Sequence, residues 1–119
     1  MTKTGDIIAV NLDPTVGGEK GKTRPCLVLV GSGHPWGIII VVPITEDSAN
    51  RSKKLFVPIN KGKTTGLSKS SCVDCFQIRC LAEDRVVNKI GIAPAETLNN
   101  VLTKIACILN IGEEHITAK

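Results

Sequence analysis

Six short apolar runs, each closed off by small or turn-forming residues, constrain this chain more than any other feature. They are DIIAVNL (6–12), PCLVLV (25–30), GIIIVVPI (37–44), KLFVPI (54–59), SCVDCFQIRCLA (71–82) and RVVNKIGI (85–92). Their β-branched content and their Gly, Pro, Asn and Ser boundaries read as strands. Near-regular spacing of short strands predicts a small barrel or sandwich. Pro43 and Pro58 fall late in their runs, where a residue without an N–H marks a strand end or an edge.

The last quarter changes period. In APAETLNNVLTKIACILNIG, Leu98, Val101, Leu102, Ile105, Ile108 and Leu109 recur at helical spacing. Pro94 suits a first helical turn, Glu96 complements the positive helix start, and Gly112 is expected to cap the end. A mainly β body with one C-terminal helix follows. At 119 residues it forms a single domain spanning 1–119, with one modest core.

Charge and cysteine content narrow the classes further. Residues 51–70 carry six Lys or Arg and no acid, an electropositive belt of the kind that attracts phosphate backbones. Lysines also blunt exposed strand edges, so the belt alone does not name a partner. With no Tyr, one Trp and two Phe, a multi-aromatic RNA platform is not expected. No apolar run is long enough to span a bilayer, and the start MTKTGD lacks the core of a secretory signal. Five cysteines without such a signal point to free thiols in a reducing cytoplasm.

Few residues offer catalysis on their own. Cys72 and Cys75 have CxxC spacing, but strand alternation would put Cys72 and Cys80 on one face and Cys75 on the other. No second CxxC or HxxxH completes a zinc site, so no metal is expected. His34 lies in a turn and His115 in the tail, unpaired in any catalytic pattern. No P-loop, dinucleotide fingerprint or HExxH is present, so no cofactor is expected. Two long loops, 13–23 and 45–53, are the natural place for function. The first is glycine-rich and reads as a mobile flap. Beside it, Arg24 precedes a proline that restricts its backbone to extended conformations.

The stretch GDIIAVNLDPTVGGEKGKTRPCLVL, followed by VVPIT, GLSKSSCV, QIR and IGIAPAETLNNVLTKIACIL, resembles the MazF/PemK (Kid) family of toxin–antitoxin endoribonucleases. The first motif is the specific one. The resemblance implies an SH3-like β-barrel of the PemK/CcdB type with a C-terminal helix. It further implies a homodimer that cleaves single-stranded mRNA without a metal and is held in check by a MazE-like antitoxin protein. Carried onto this sequence, the catalytic pair is Arg24 of R-P and Thr45 of P-I-T. Arginine suits phosphate because its planar fork can donate two parallel hydrogen bonds. Along the RNA the family pattern and the two loops suggest Asp13, Thr15, Glu19, Lys20, Lys22, Lys53, Lys54, Gln77 and Arg79.

One departure matters. The Kid branch reads R-C-D-Q where this chain has Asp74, Cys75, Phe76 and Gln77, so that branch's acid–base pair is missing here. Activity would then rest on Arg24 and Thr45. A non-catalytic RNA-binding barrel is the alternative. A gyrase poison of the CcdB type is disfavoured, because its C-terminal tryptophan has no counterpart in NIGEEHITAK.

Overall fold

The computed structural model describes residues 1–46 and 52–116. Seven strands appear in chain order: β1 (Asp6–Asn11), β2 (Thr23–Val30), β3 (Ile38–Glu46), β4 (Phe56–Ile59), β5 (Ser71–Asp74), β6 (Arg79–Ala82) and β7 (Val86–Ile92). Helices α1 (Ala95–Ile108) and α2 (Glu113–Ile116) end the chain. The strands form one antiparallel sheet in the order β4-β5-β3-β2-β1-β7, with β6 also paired to β3. Register shifts in the β1–β7 and β2–β3 ladders bend it. β4 and β7 end the path without pairing to each other among the described residues, so the expected barrel is an open one.

Strand β3 organises everything around it. One edge pairs with β2. Along the other, its first half pairs with β6 (Ile38↔Ala82 to Val41↔Arg79) and its last three residues with β5 (Ile44↔Val73 to Glu46↔Ser71). Pro43, which has no N–H to donate, sits at the changeover.

The sequence predicts one strand over 71–82, and here the structure differs. Paired positions sum to 117 along β3–β5 and to 120 along β3–β6, so three residues drop out of register between them. Those three are Cys75, Phe76 and Gln77, which form a single 3₁₀ turn. The Asp74 carboxylate starts the turn by accepting the Phe76 N–H at 3.3 Å. An odd insertion also reverses the facing of every later side chain. Cys72 is therefore buried and Cys80 exposed, rather than sharing a face.

Alternation along β1–β3 divides the core. Ile7, Leu27, Val42 and Ile44 face α1, where they meet Val101 and Ile105. Ile8, Val10, Cys26, Val28 and Val41 face the other way and form a second cluster with Leu12 and Leu81. Strands covered on both faces explain the nearly unbroken apolar runs. Helix α1 ends on Asn110, not on Gly112 as expected. Asn110 takes the left-handed conformation (φ 59°), its N–H meets the Cys107 carbonyl, and the Ile111 N–H meets that of Ala106. That pair of bonds is a Schellman cap. Gly112 instead precedes α2 and accepts the His115 N–H. No helix among the described residues is long and apolar enough to cross a membrane.

Candidate active site

The β2–β3 ladder ends where Cys26 pairs with Pro43, and Arg24 and Thr45 each lie two residues beyond it on their strands. Opposed residues of antiparallel strands point to the same side. Arg24 and Thr45 therefore share the face that carries Cys26, Val28 and Val41, where the second core cluster runs out. Both line a cavity of about 400 Å³, together with Lys22, Glu46, Ser68 and Lys69. Thr45 is buried and Arg24 half-buried.

The guanidinium is fixed at one atom. Arg24 Nε donates to the Gly21 carbonyl at 2.9 Å, and its terminal nitrogens make no further hydrogen bond among the described residues. Since arginine offers five donors, the outer edge stays available to an oxyanion. Pro25 holds the backbone extended from behind. At the mouth, Lys69 Nζ lies 2.6 Å from Glu46 Oε1. That hydrogen bond lowers the Glu46 pKa and raises that of Lys69. Among the described lining residues three cations stand against one carboxylate, a balance that suits phosphate.

The 13–23 loop is fastened rather than free. At its neck, Leu12 N–H meets the Lys22 carbonyl and Lys22 N–H meets Asp13 Oδ1, both at 2.9 Å. In the middle, Glu19 Oε1 accepts the Val16 N–H. Its tip is held across the groove by Gln77, which accepts the Lys20 N–H at 2.6 Å and donates to the Gly18 carbonyl at 3.2 Å. Lys20 Nζ lies 3.9 Å from the buried Asp74 carboxylate. Arg79 donates to the Leu12 carbonyl at 2.7 Å, and Arg85 to those of Asn11 and Asp13. A second, open cavity of about 510 Å³ lies between this loop and residues 76–79.

The residues expected along RNA therefore fall into separate groups. Lys22 joins Arg24 and Thr45, whereas Glu19, Lys20, Gln77 and Arg79 line the second cavity. Asp13 and Thr15 fold the loop onto itself, so close to Gly21 that a Cβ there would stand 2.6 Å from Asp13 Oδ1 and 2.9 Å from Thr15 Oγ1. Lys53 lines a different cavity, between β4 and α1. Lys54 is exposed and donates its N–H to Ser52 Oγ. Residues 47–51 of the second loop lie outside the described residues. Sequence reasoning did not single out Glu46, Ser68 or Lys69. The motif GLSKSSCV contained two of them, but only the fold brings that segment beside Arg24.

Cys26, buried two residues from Arg24, is inert as a nucleophile. Burial pushes its thiol up to about 12, outweighing the nearby Arg79 and Arg24 charges. No three His, Cys, Asp or Glu converge as metal ligands among the described residues.

Comparison with known proteins identifies relatives of the whole chain. Endoribonuclease MazF9 of Mycobacterium tuberculosis is 31% identical over 105 residues, covering 82% of this chain and 87% of that one. Endoribonuclease MazF of Staphylococcus epidermidis is 30% identical over 92 residues, 76% of each chain. The crystal structure of MazF from Deinococcus radiodurans superposes with a TM-score of 0.78 at 25% identity, over 92% of this chain and 96% of that one. Residues 3–109, which hold both Arg24 and Thr45, match the family description as a whole, and the chain belongs to the PemK-like, MazF-like toxins of type II toxin–antitoxin systems.

Proposed function

We propose that the cavity between β2 and β3 cleaves single-stranded RNA by internal displacement, without a resident metal. The observation that carries this is that Arg24 and Thr45 line one electropositive cavity. In the reaction the 2′-oxygen attacks the adjacent phosphorus as its proton departs. The P–O2′ bond forms, the P–O5′ bond breaks, and the 5′-oxygen takes up a proton. The products are a cyclic phosphate and a 5′-hydroxyl. Arg24 places its outer N–H groups on the non-bridging oxygens, where charge grows in the transition state. Thr45 positions the same phosphate through its hydroxyl. Lys22 and Lys69 raise the local potential that draws the RNA in.

The chain acts as one domain in the cytoplasm, as a homodimer, and is silenced by an antitoxin of the MazE kind. An antitoxin segment with acidic and apolar residues suits the basic cavity. The test is incubation with long single-stranded RNA in EDTA, beside Arg24→Ala. The expected result is cleavage with cyclic phosphate ends, reduced roughly 10²–10³-fold in the variant, the usual cost of one oxyanion donor. Loss of all cleavage in EDTA would refute the metal-free mechanism. Binding without cutting by the unaltered protein would favour the alternative of a non-catalytic RNA-binding barrel.

A further inference from the structure

We propose that the cavity of about 510 Å³ beside the catalytic one is a nucleobase subsite, in which one base of the RNA stacks on Phe76. This rests on the RNA reading above and names a second contact of the same substrate.

The excursion of Cys75–Gln77 from the ladder sets Phe76 outside both core clusters, with 63% of its surface exposed. Packing among the described residues of one chain does not hold the ring there. Its position answers to a ligand instead, because it forms one wall of the cavity. Leu12, Val41 and Pro43 make an apolar floor continuous with the second core cluster, and Ile78 and Arg79 close the side. The volume lies in the usual range for small-molecule sites, roughly 300–1,000 Å³. The other highly exposed aromatic, Trp36, lines neither this cavity nor the catalytic one.

Two features tie the cavity to the scissile phosphate. Val41, Pro43 and Thr45 alternate onto one face of β3, and Pro43 lies about 7 Å from Thr45 along the strand. The loop runs from Gly18–Lys20, over this cavity, to Lys22 and Arg24 at the other. A strand of RNA with its phosphate on Arg24 thus brings a neighbouring base against Phe76. Gln77 commits one lone pair to Lys20 and one N–H to Gly18, and no base contact is assigned to it. Recognition here comes from the ring face and the shape of the cavity.

Phe76→Ala, Phe76→Leu and Phe76→Trp should be compared for affinity towards a short single-stranded RNA and for cleavage sites on a long one. An exposed position tolerates all three, and a denaturation curve checks that each folds. Stacking predicts roughly 5–150-fold weaker binding for alanine, rescue by tryptophan and none by leucine. It also predicts flattened preference at one nucleotide near the cut. An RNA abasic at that nucleotide should bind the unaltered protein and Phe76→Ala alike. Unchanged affinity and sites in Phe76→Ala, with the unaltered protein active, would overturn the subsite and leave the RNA reading standing. Leucine binding as well as phenylalanine would overturn stacking. An unaltered protein that neither binds nor cuts RNA would overturn both.

Discussion

Replacing Gln77 by leucine removes both bonds that hold the loop tip across the groove, with little change in side-chain volume. The lost contacts are Lys20 N–H to Oε1 at 2.6 Å and Nε2–H to the Gly18 carbonyl at 3.2 Å. A neutral hydrogen bond contributes about 0.5–1.5 kcal/mol net, so the pair amounts to roughly 1–3 kcal/mol. That is about a 5–150-fold shift toward the open loop. The neck bonds between Leu12, Asp13 and Lys22 remain, as does the Lys20–Asp74 approach, so the opening stays local. Amide hydrogen exchange at Lys20 should accelerate by the same factor, and global stability should fall by at most the same roughly 1–3 kcal/mol. RNA affinity should fall as well, since an unlatched loop must be ordered on binding. Gln77→Glu should fall between, keeping the acceptor for Lys20 and turning the donor toward Gly18 into a second acceptor. If Lys20 exchange is unchanged in Gln77→Leu while RNA binding collapses, the side chain contacts RNA directly. The latch would then be refuted.

Two further outcomes test the frame around the site. At Gly91 on β7 an added Cβ would run into the Thr65 carbonyl, so Gly91→Ala should cost about 1–3 kcal/mol by overpacking. Urea denaturation should show a lower midpoint at unchanged slope, and an unmoved midpoint would refute the close approach. In the native protein at pH 8, a thiol reagent should modify Cys80 and Cys107 and spare Cys26, Cys72 and Cys75. Burial pushes Cys26 and Cys75 up to about 12, above the 9.0 of a free thiol. Their contribution to stability is therefore intact below pH 9.0 and lost as the pH rises toward 12. Mass spectrometry that finds all five modified without unfolding would contradict the buried placement.

The parts of this molecule legible in the sequence are those governed by short-range periodicity. β1, β2 and β3 begin and end within about two residues of their apolar runs, as boundary signals of this kind allow. α1 follows its helical spacing, although Asn110 supplied the cap that Gly112 seemed to offer. Arg24 and Thr45 stand out in the sequence because each sits next to or near a proline within a recognisable motif, and the fold lines one cavity with both. What stayed hidden was register. SCVDCFQIRCLA reads as one strand because nothing within it interrupts β propensity, and only Asp74, two residues before Phe76, hints at a turn. Whether a run of this kind stays in a ladder depends on its partner. β3 can accept both β5 and β6 along one edge only if Cys75–Gln77 leave it. The contacts that follow span 57 and 59 residues, beyond any local pattern. That single three-residue slip places the carboxamide that latches the loop and the ring offered to a base. On the function proposed above, the Cys75–Gln77 turn shapes the groove, and Arg24 and Thr45 carry the chemistry.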